Sequence, residues 1–413
     1  MAGLYIHIPF CESRCIYCGF YSTTSLKMRD DYIDALCKEM TLRPIQQELG
    51  EGETIQTIYL GGGTPSQLSH PQLLRLFEGI KSYCGEENAQ QEITMECNPD
   101  DVTPDFCETL KQLPVNRISM GAQTFSDDRL HFLHRRHNAE EVRIAVERLR
   151  SIGINNISID LMFGFPDETL KDWENDIREA IRLGVEHISA YSLMYEEGTR
   201  LYRLLEQGKI KEIDEEVSCK MFETLCEMLT EAGYEHYEIS NFAKSGYRSR
   251  HNSNYWHEVP YIGIGAAAHS YKRIPQKPLE NGQNTEGKAT CQEWKVTRSW
   301  NIDNLQTYID SIQQGTLPSA GEQLDLKTRY NDLITTALRT SDGINLARMK
   351  SEFGECFFQR LMQEAQGKIK NGLMELVNPQ EQTEKTSKSM FLRLSKKGIY
   401  ISDDIMGDFM IVD

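Results

Sequence analysis

The sequence predicts an α/β fold, a partial (β/α)6 barrel followed by a smaller α+β domain of winged-helix-like outline. Three observations carry this. Through the first 240 residues a beat recurs of a short apolar run, a turn rich in Gly, Pro or Asn, and an amphipathic helix, the rhythm of parallel strands joined by helical crossovers. Polar and Gly-rich residues gather just after those runs, on the rim where barrels of this kind place their chemistry. Past residue 300 the order changes to several helices and then a pair of short strands.

The apolar runs are 4–9, 54–60, 92–96, 117–120, 156–162 and 187–193, each of a length suited to a buried parallel strand. Between them Ile33, Leu36 and Met40 fall at helical spacing, and further amphipathic helices are predicted near 69–83, 138–152 and 169–183. The chain divides into a barrel (1–240), a middle region (241–299) and a C-terminal domain (300–413). Residues 241–271 are dense in His, Asn, Tyr, Trp and Gly, whereas 273–292 read as a polar surface loop or linker. Helices are predicted near 302–314, 325–340, 344–352 and 356–372, and strands at 373–377 and 390–394 flank the polar run 378–389. Winged helices bind DNA in some proteins and act as scaffolds in others.

Of 413 residues 39% are hydrophobic and 26% charged, which supports a sizeable core and excludes global disorder. The formal net charge of −17 repels phosphate backbones and argues against nonspecific nucleic-acid binding. No stretch reads as a leader or a membrane span. A cytoplasmic location is therefore expected, where 11 cysteines serve metals or catalysis more often than disulfides.

Three of them, Cys11, Cys15 and Cys18, follow the first strand at the spacing C-x3-C-x2-C. Three thiolates on one tight loop can cap three corners of a cubane and leave the fourth iron open as a reaction site. A structural zinc site, with His7 as fourth ligand, is the alternative; with the C-terminal domain it would make a DNA-binding regulator. The rim continues with Gly61, Gly62, Gly63, Thr64 and Pro65 after the second strand, Glu96 and Cys97 after the third, Gln123 after the fourth, and Asp160 in the fifth. A Gly run lets backbone groups approach a ligand closely.

The cysteine spacing, with Tyr17 just before the last cysteine, resembles the radical SAM signature. The segments 5–11, 61–65, 119–123 and 160–166 resemble one branch of that family, which holds the oxygen-independent coproporphyrinogen III dehydrogenases and related heme chaperones. The resemblance implies a 4Fe-4S cluster and S-adenosylmethionine (SAM), cleaved by one electron to a 5′-deoxyadenosyl radical. It implies that Gly62, Gly63 and Thr64 meet the methionine amino end, and that Glu96, Gln123, Arg135 and Asp160 make polar SAM contacts, with Arg136 as alternative to Arg135. Tyr5, Tyr17 and Met194 match weaker contact positions.

Three features separate the two lines. The dehydrogenases carry a fourth cysteine where this chain has Phe20, and a long N-terminal extension for which the first strand, starting near residue 4, leaves no room. The segment 251–256, His-Asn-Ser-Asn-Tyr-Trp, matches a chaperone motif linked to heme. The resemblance thus implies a protein that binds heme at His251 and delivers it to apo-hemoproteins such as respiratory-chain enzymes. A reductase or flavodoxin would serve as electron donor, and a homodimer as functional form. His251 reads equally as a structural loop histidine held by its neighbours, His257 and His269 are rival heme contacts, and the dehydrogenase and zinc readings stay open as alternatives.

Overall fold

A computed structural model describes residues 2–50, 52–85, 90–275, 294–378 and 390–412. Six parallel strands stand side by side in chain order: β1 (Ala2–Ile8), β2 (Ile55–Gly62), β3 (Glu92–Cys97), β4 (Arg117–Gln123), β5 (Asn156–Phe163) and β6 (His187–Ser192). Helices join them, including Arg29–Leu42, His70–Cys84, Ala139–Ser151 and Leu170–Leu183. The last three start on capping boxes at Ser69, Asn138 and Thr169, which satisfy backbone donors that would otherwise be orphaned.

Register aligns apolar rows across the sheet: Leu4 opposite Ile58, Ile58 opposite Ile93, Met95 opposite Ile118, and Ile118 opposite Ile157. These side chains bury against the helices in one large core that includes Leu36, Leu73, Leu76, Val142 and Ile177. Successive strand residues point to opposite faces, so the alternates between them fall on the concave side. Those alternates are polar: Thr57 and Tyr59 in β2, Thr94 and Glu96 in β3, Arg117 and Ser119 in β4, Ser158 and Asp160 in β5. The strands are therefore half apolar rather than continuously apolar, and the concave side encloses cavities.

The sheet extends past both ends of this set. Beyond β6 lie β7 (Glu235–Glu238) and β8 (Asn241–Ala243), with β8 antiparallel to β6. On the other flank β9 (Tyr261–Ile264) runs parallel to β1, and β10 (His269–Pro275), β11 (Trp294–Asn301) and β12 (Ser319–Gln323) follow antiparallel. Of the expected loop 273–292, residues 273–275 end β10 and 276–292 lie outside the described residues. The fully buried Glu39 ties this flank down: it accepts from Arg43 (3.0 Å), Gly265 N–H (2.9 Å), Asn301 (2.8 Å) and Tyr308 (2.5 Å). The helix Arg250–Trp256 crosses the beginnings of β1–β3, where the N–H groups of Arg250 and His251 donate to Glu92 at 3.0 and 2.9 Å.

A second core gathers Tyr330, Leu333, Ile334, Met349, Leu361 and Leu392. Its elements are the helix Leu326–Ala337, β13 (Ile344–Asn345), the helical stretch Leu346–Lys370 interrupted at Gly354, β14 (Met374–Val377) and β15 (Phe391–Leu394). The strands pair in the order β13-β15-β14, which gives the small domain its winged-helix-like sheet. The polar run between its last two strands lies, from 379 to 389, outside the described residues. This domain docks on the sheet edge: Ile239 N–H donates to the Arg339 carbonyl at 3.1 Å and Ser341 N–H to the Tyr237 carbonyl at 3.0 Å. Among the described residues no helix is long and apolar enough to cross a membrane.

Candidate cluster and cofactor site

The cysteine loop is pinned at both ends. Cys11 N–H donates to the Thr23 carbonyl at 3.0 Å, and Ile16 N–H to the Leu133 carbonyl at 3.2 Å. Ile16 is buried in a small apolar cluster with Leu133, Met162, Phe165 and Leu201. The Gly-rich turn after β2 clips to the chain after β1 through Gly63 N–H to Ile8 O and Thr64 N–H to Phe10 O, both 2.8 Å. A Cβ on Gly63 would stand 2.7 Å from the Ile8 carbonyl oxygen, so only glycine allows this approach.

Cys11, Cys15 and Cys18 then line one cavity of about 190 Å³ together with Gly62, Gly63, Thr64, Glu96, Gln123, Arg135 and Asp160. Side-chain donors reach the sulfurs: Thr64 Oγ1 lies 3.6 Å from Cys11 Sγ, and Arg135 Nη1 lies 3.5 Å from Cys15 Sγ. Arg135 is fixed by bonds of 2.7 Å to Asn98 Oδ1 and to the Gly121 carbonyl. Arg136 instead pairs with Asp100 (2.8 Å), Asp101 (2.7 Å) and Glu12. Burial pushes the Cys11 and Cys18 thiols up, opposed in part by the Thr64 hydroxyl at Cys11 and by the backbone at Phe20 and the Arg14 charge at Cys18. Among the described residues no three His, Cys, Asp or Glu side chains converge on a single-ion position. Three thiols lining one cavity, with hydrogen-bond donors at two of the sulfurs, suit an iron–sulfur cluster held by thiolates.

Glu96 is held by the Tyr59 hydroxyl at 2.7 Å and the Gly62 N–H at 3.1 Å. Burial raises its carboxyl to about 7, and burial likewise raises Asp160 to about 6. Gln123 ends β4 at a break in the β4–β5 register with φ of 67°, a left-handed conformation that costs a non-glycine residue. A second chamber of about 370 Å³ adjoins the first and shares Tyr17, Cys18, Phe20, Glu96, Ser119, Gln123 and Asp160 with it. Met194 lines this second chamber alone, while Tyr5 lines neither and bonds His7 Nδ1 at 3.0 Å.

His251 is elsewhere. It sits 1% exposed at the opposite, N-terminal end of the strands, stacked on Tyr59 with ring centroids 5.1 Å apart. Both ring nitrogens are engaged, Nδ1 with Thr57 Oγ1 at 2.8 Å and Nε2 with the Tyr255 hydroxyl at 2.9 Å. Burial lowers it to about 3, so it is a neutral interior histidine. His257 is half exposed and bridges the Ser253 carbonyl (2.7 Å) and Asp342 (3.2 Å). His269 is exposed and stacks on Trp300 at 6.1 Å.

Comparison with known proteins agrees with this geometry. The family model described as Radical SAM superfamily matches residues 5–180. A Bacillus subtilis protein named heme chaperone HemW is 36% identical over 86% of this chain and 87% of its own length. The chain belongs to the HemW family. Other HemW proteins match similarly, that of Lactococcus lactis at 31% over 97% of both chains and that of Escherichia coli at 38% over 66% of this chain and 71% of its own. The solved structure of the E. coli coproporphyrinogen III oxidase HemN, a radical SAM enzyme, superposes with a TM-score of 0.76 at 20% identity. That match covers 99% of this chain and 89% of that one, and it shows that this HemW-family chain shares the HemN fold.

Sequence reasoning missed Tyr59, Asn98, Arg117, Ser119 and Ser189, which line or brace the two chambers. The signal was present as strict polar–apolar alternation through the third to sixth strands, such as Arg117-Ile118-Ser119-Met120.

Proposed function

We propose that the chain is a heme chaperone that carries a 4Fe-4S cluster on Cys11, Cys15 and Cys18, binds SAM beside it, and delivers heme to apo-hemoproteins. The observation that carries this reading is the match to proteins named heme chaperone HemW over most of both chains. Phe20, at the position of the dehydrogenases' fourth cysteine, and the motif 251–256 support it. A cluster with an open iron, when bound, supplies an electron to SAM.

The chain's own residues do the positioning. Gly62, Gly63 and Thr64 would meet the amino end of SAM, Arg135 its carboxylate, and Glu96, Gln123 and Asp160 its remaining polar groups, with Tyr17 and Met194 flanking. Tyr5 acts one layer behind, through His7. His251 contacts heme only if Thr57 or Tyr255 is displaced from its ring; in the packed state it holds the motif helix to β2. A reductase or flavodoxin supplies the electron in the cytoplasm, and a homodimer is the form to be tested by sedimentation.

The test is anaerobic. The reconstituted chain is titrated with hemin and then mixed with an apo-hemoprotein. Saturable uptake and transfer are expected, with no conversion of coproporphyrinogen III when SAM and a reductant are present. Decarboxylated porphyrinogen as product would instead make the chain a dehydrogenase despite Phe20. Zinc without iron or sulfide in the purified protein would overturn the cluster assignment.

A further inference from the structure

Arg117 opens β4 and is 1% exposed, among the largest fully buried side chains of the protein. Its Nε has no hydrogen-bond partner, and among the described residues its guanidinium makes no hydrogen bond or ion pair at all. Guanidinium groups taken out of water are ordinarily paired, because an uncompensated buried charge is costly. The acids nearby do not serve: both Glu96 oxygens are occupied by Tyr59 and Gly62, and Asp160 acts on Arg117 only at longer range. His187 and His251 also feel its charge and stay neutral.

The guanidinium borders the chamber of about 370 Å³ beside the cysteine loop. The exposed part of that chamber's lining carries three apolar side chains, Phe20 71%, Met194 62% and Tyr191 41% exposed, beside Ser192 and Glu196. An apolar lip over a buried, unpaired cation fits a ligand with a flat apolar body and an anionic arm. We propose that Arg117 is the receptor for a carboxylate arm of heme, whose macrocycle rests on Phe20 and Met194 at the mouth. This rests on the heme-chaperone reading and names the site for it, a chamber that the motif helix reaches through Asn252 rather than through the His251 ring. Heme would carry its own counter-charge to the guanidinium, forming the bidentate pair that arginine geometry favours.

The test compares hemin with ferric protoporphyrin IX dimethyl ester, the same macrocycle with both carboxylates masked, by Soret titration of the full cluster-loaded chain. The wild type is expected to bind the ester about tenfold or more weakly than hemin, and Arg117→Gln to lose a similar factor for hemin while Arg117→Lys loses less. The loss for hemin in the Gln variant exceeds any change in its SAM affinity. Equal binding of ester and hemin by the wild type overturns the inference without any variant, and leaves the heme reading standing. A parallel loss of SAM binding in Arg117→Gln also overturns it, by placing Arg117 in the SAM site. A wild type that takes up no hemin sinks the chaperone reading and this inference with it.

Discussion

Glu96 and Asp160 are carboxyls that burial has pushed up to about 7 and about 6. Each holds its proton more tightly folded than unfolded, so its stabilisation is complete at low pH and is lost as pH rises through the folded value. Between about pH 5 and about pH 8 the wild type is therefore expected to lose stability relative to Glu96→Gln, read as the difference in urea midpoints. A flat difference would mean that Glu96 is ionised throughout. His251→Ala removes two side-chain hydrogen bonds and a stacked ring, a loss of about 3 kcal/mol by denaturant unfolding. Heme loss in that variant assigns a ligand only if the Soret spectrum changes while the folded fraction does not. At this scale the gathering of Cys11, Cys15 and Cys18 at one cavity was legible because their close spacing keeps them on one loop. Burial of His251 was not, since a histidine beside Asn, Tyr and Trp has the same sequence whether it faces a ligand or a threonine.

Among the elements, the turn between β2 and its helix is the least tolerant. Gly63→Ala must part the Gly-rich turn from the chain after β1, because the new Cβ would meet backbone atoms at 2.7 Å. A cost of about 1–3 kcal/mol is expected from thermal unfolding, with reduced iron content after reconstitution. Unchanged stability and iron would show that the turn relaxes. All six strands of the parallel set were legible as short apolar runs bounded by turns. The strands β7 to β12 were not. β7, β8 and β9 are only three or four residues long, and β12 is exposed along its whole length, so no sustained apolar pattern marks them. Arg117 escaped notice because a charged residue opening an apolar run reads as the edge of a strand, not as the floor of a chamber.

For the whole molecule, the joint between barrel and C-terminal domain carries a nearly buried ionic knot. Glu352 meets Arg348 at 2.8 Å, Arg273 at 2.5 Å and Arg329 at 3.6 Å, and Glu258 pairs with Arg348 and with Arg273 at 3.6 Å. Glu352→Gln leaves buried arginines short of a counter-charge and is expected to cost about 3–5 kcal/mol, splitting the urea transition followed by circular dichroism in two. A single unshifted transition would show the knot to be dispensable. A change of rhythm past residue 300 was readable, but this joint was not, since its residues are far apart in the chain. The place of β9 has a consequence of another kind. Residues 3–6 of β1 receive their second neighbour from residues 261–264, so the strand that leads into the cysteine loop keeps one side open until most of the chain has left the ribosome. At ordinary synthesis rates that wait is on the order of tens of seconds. The three thiols thus emerge first yet gain their finished scaffold only after the middle of the chain has been made, which delays metal loading relative to the emergence of its ligands.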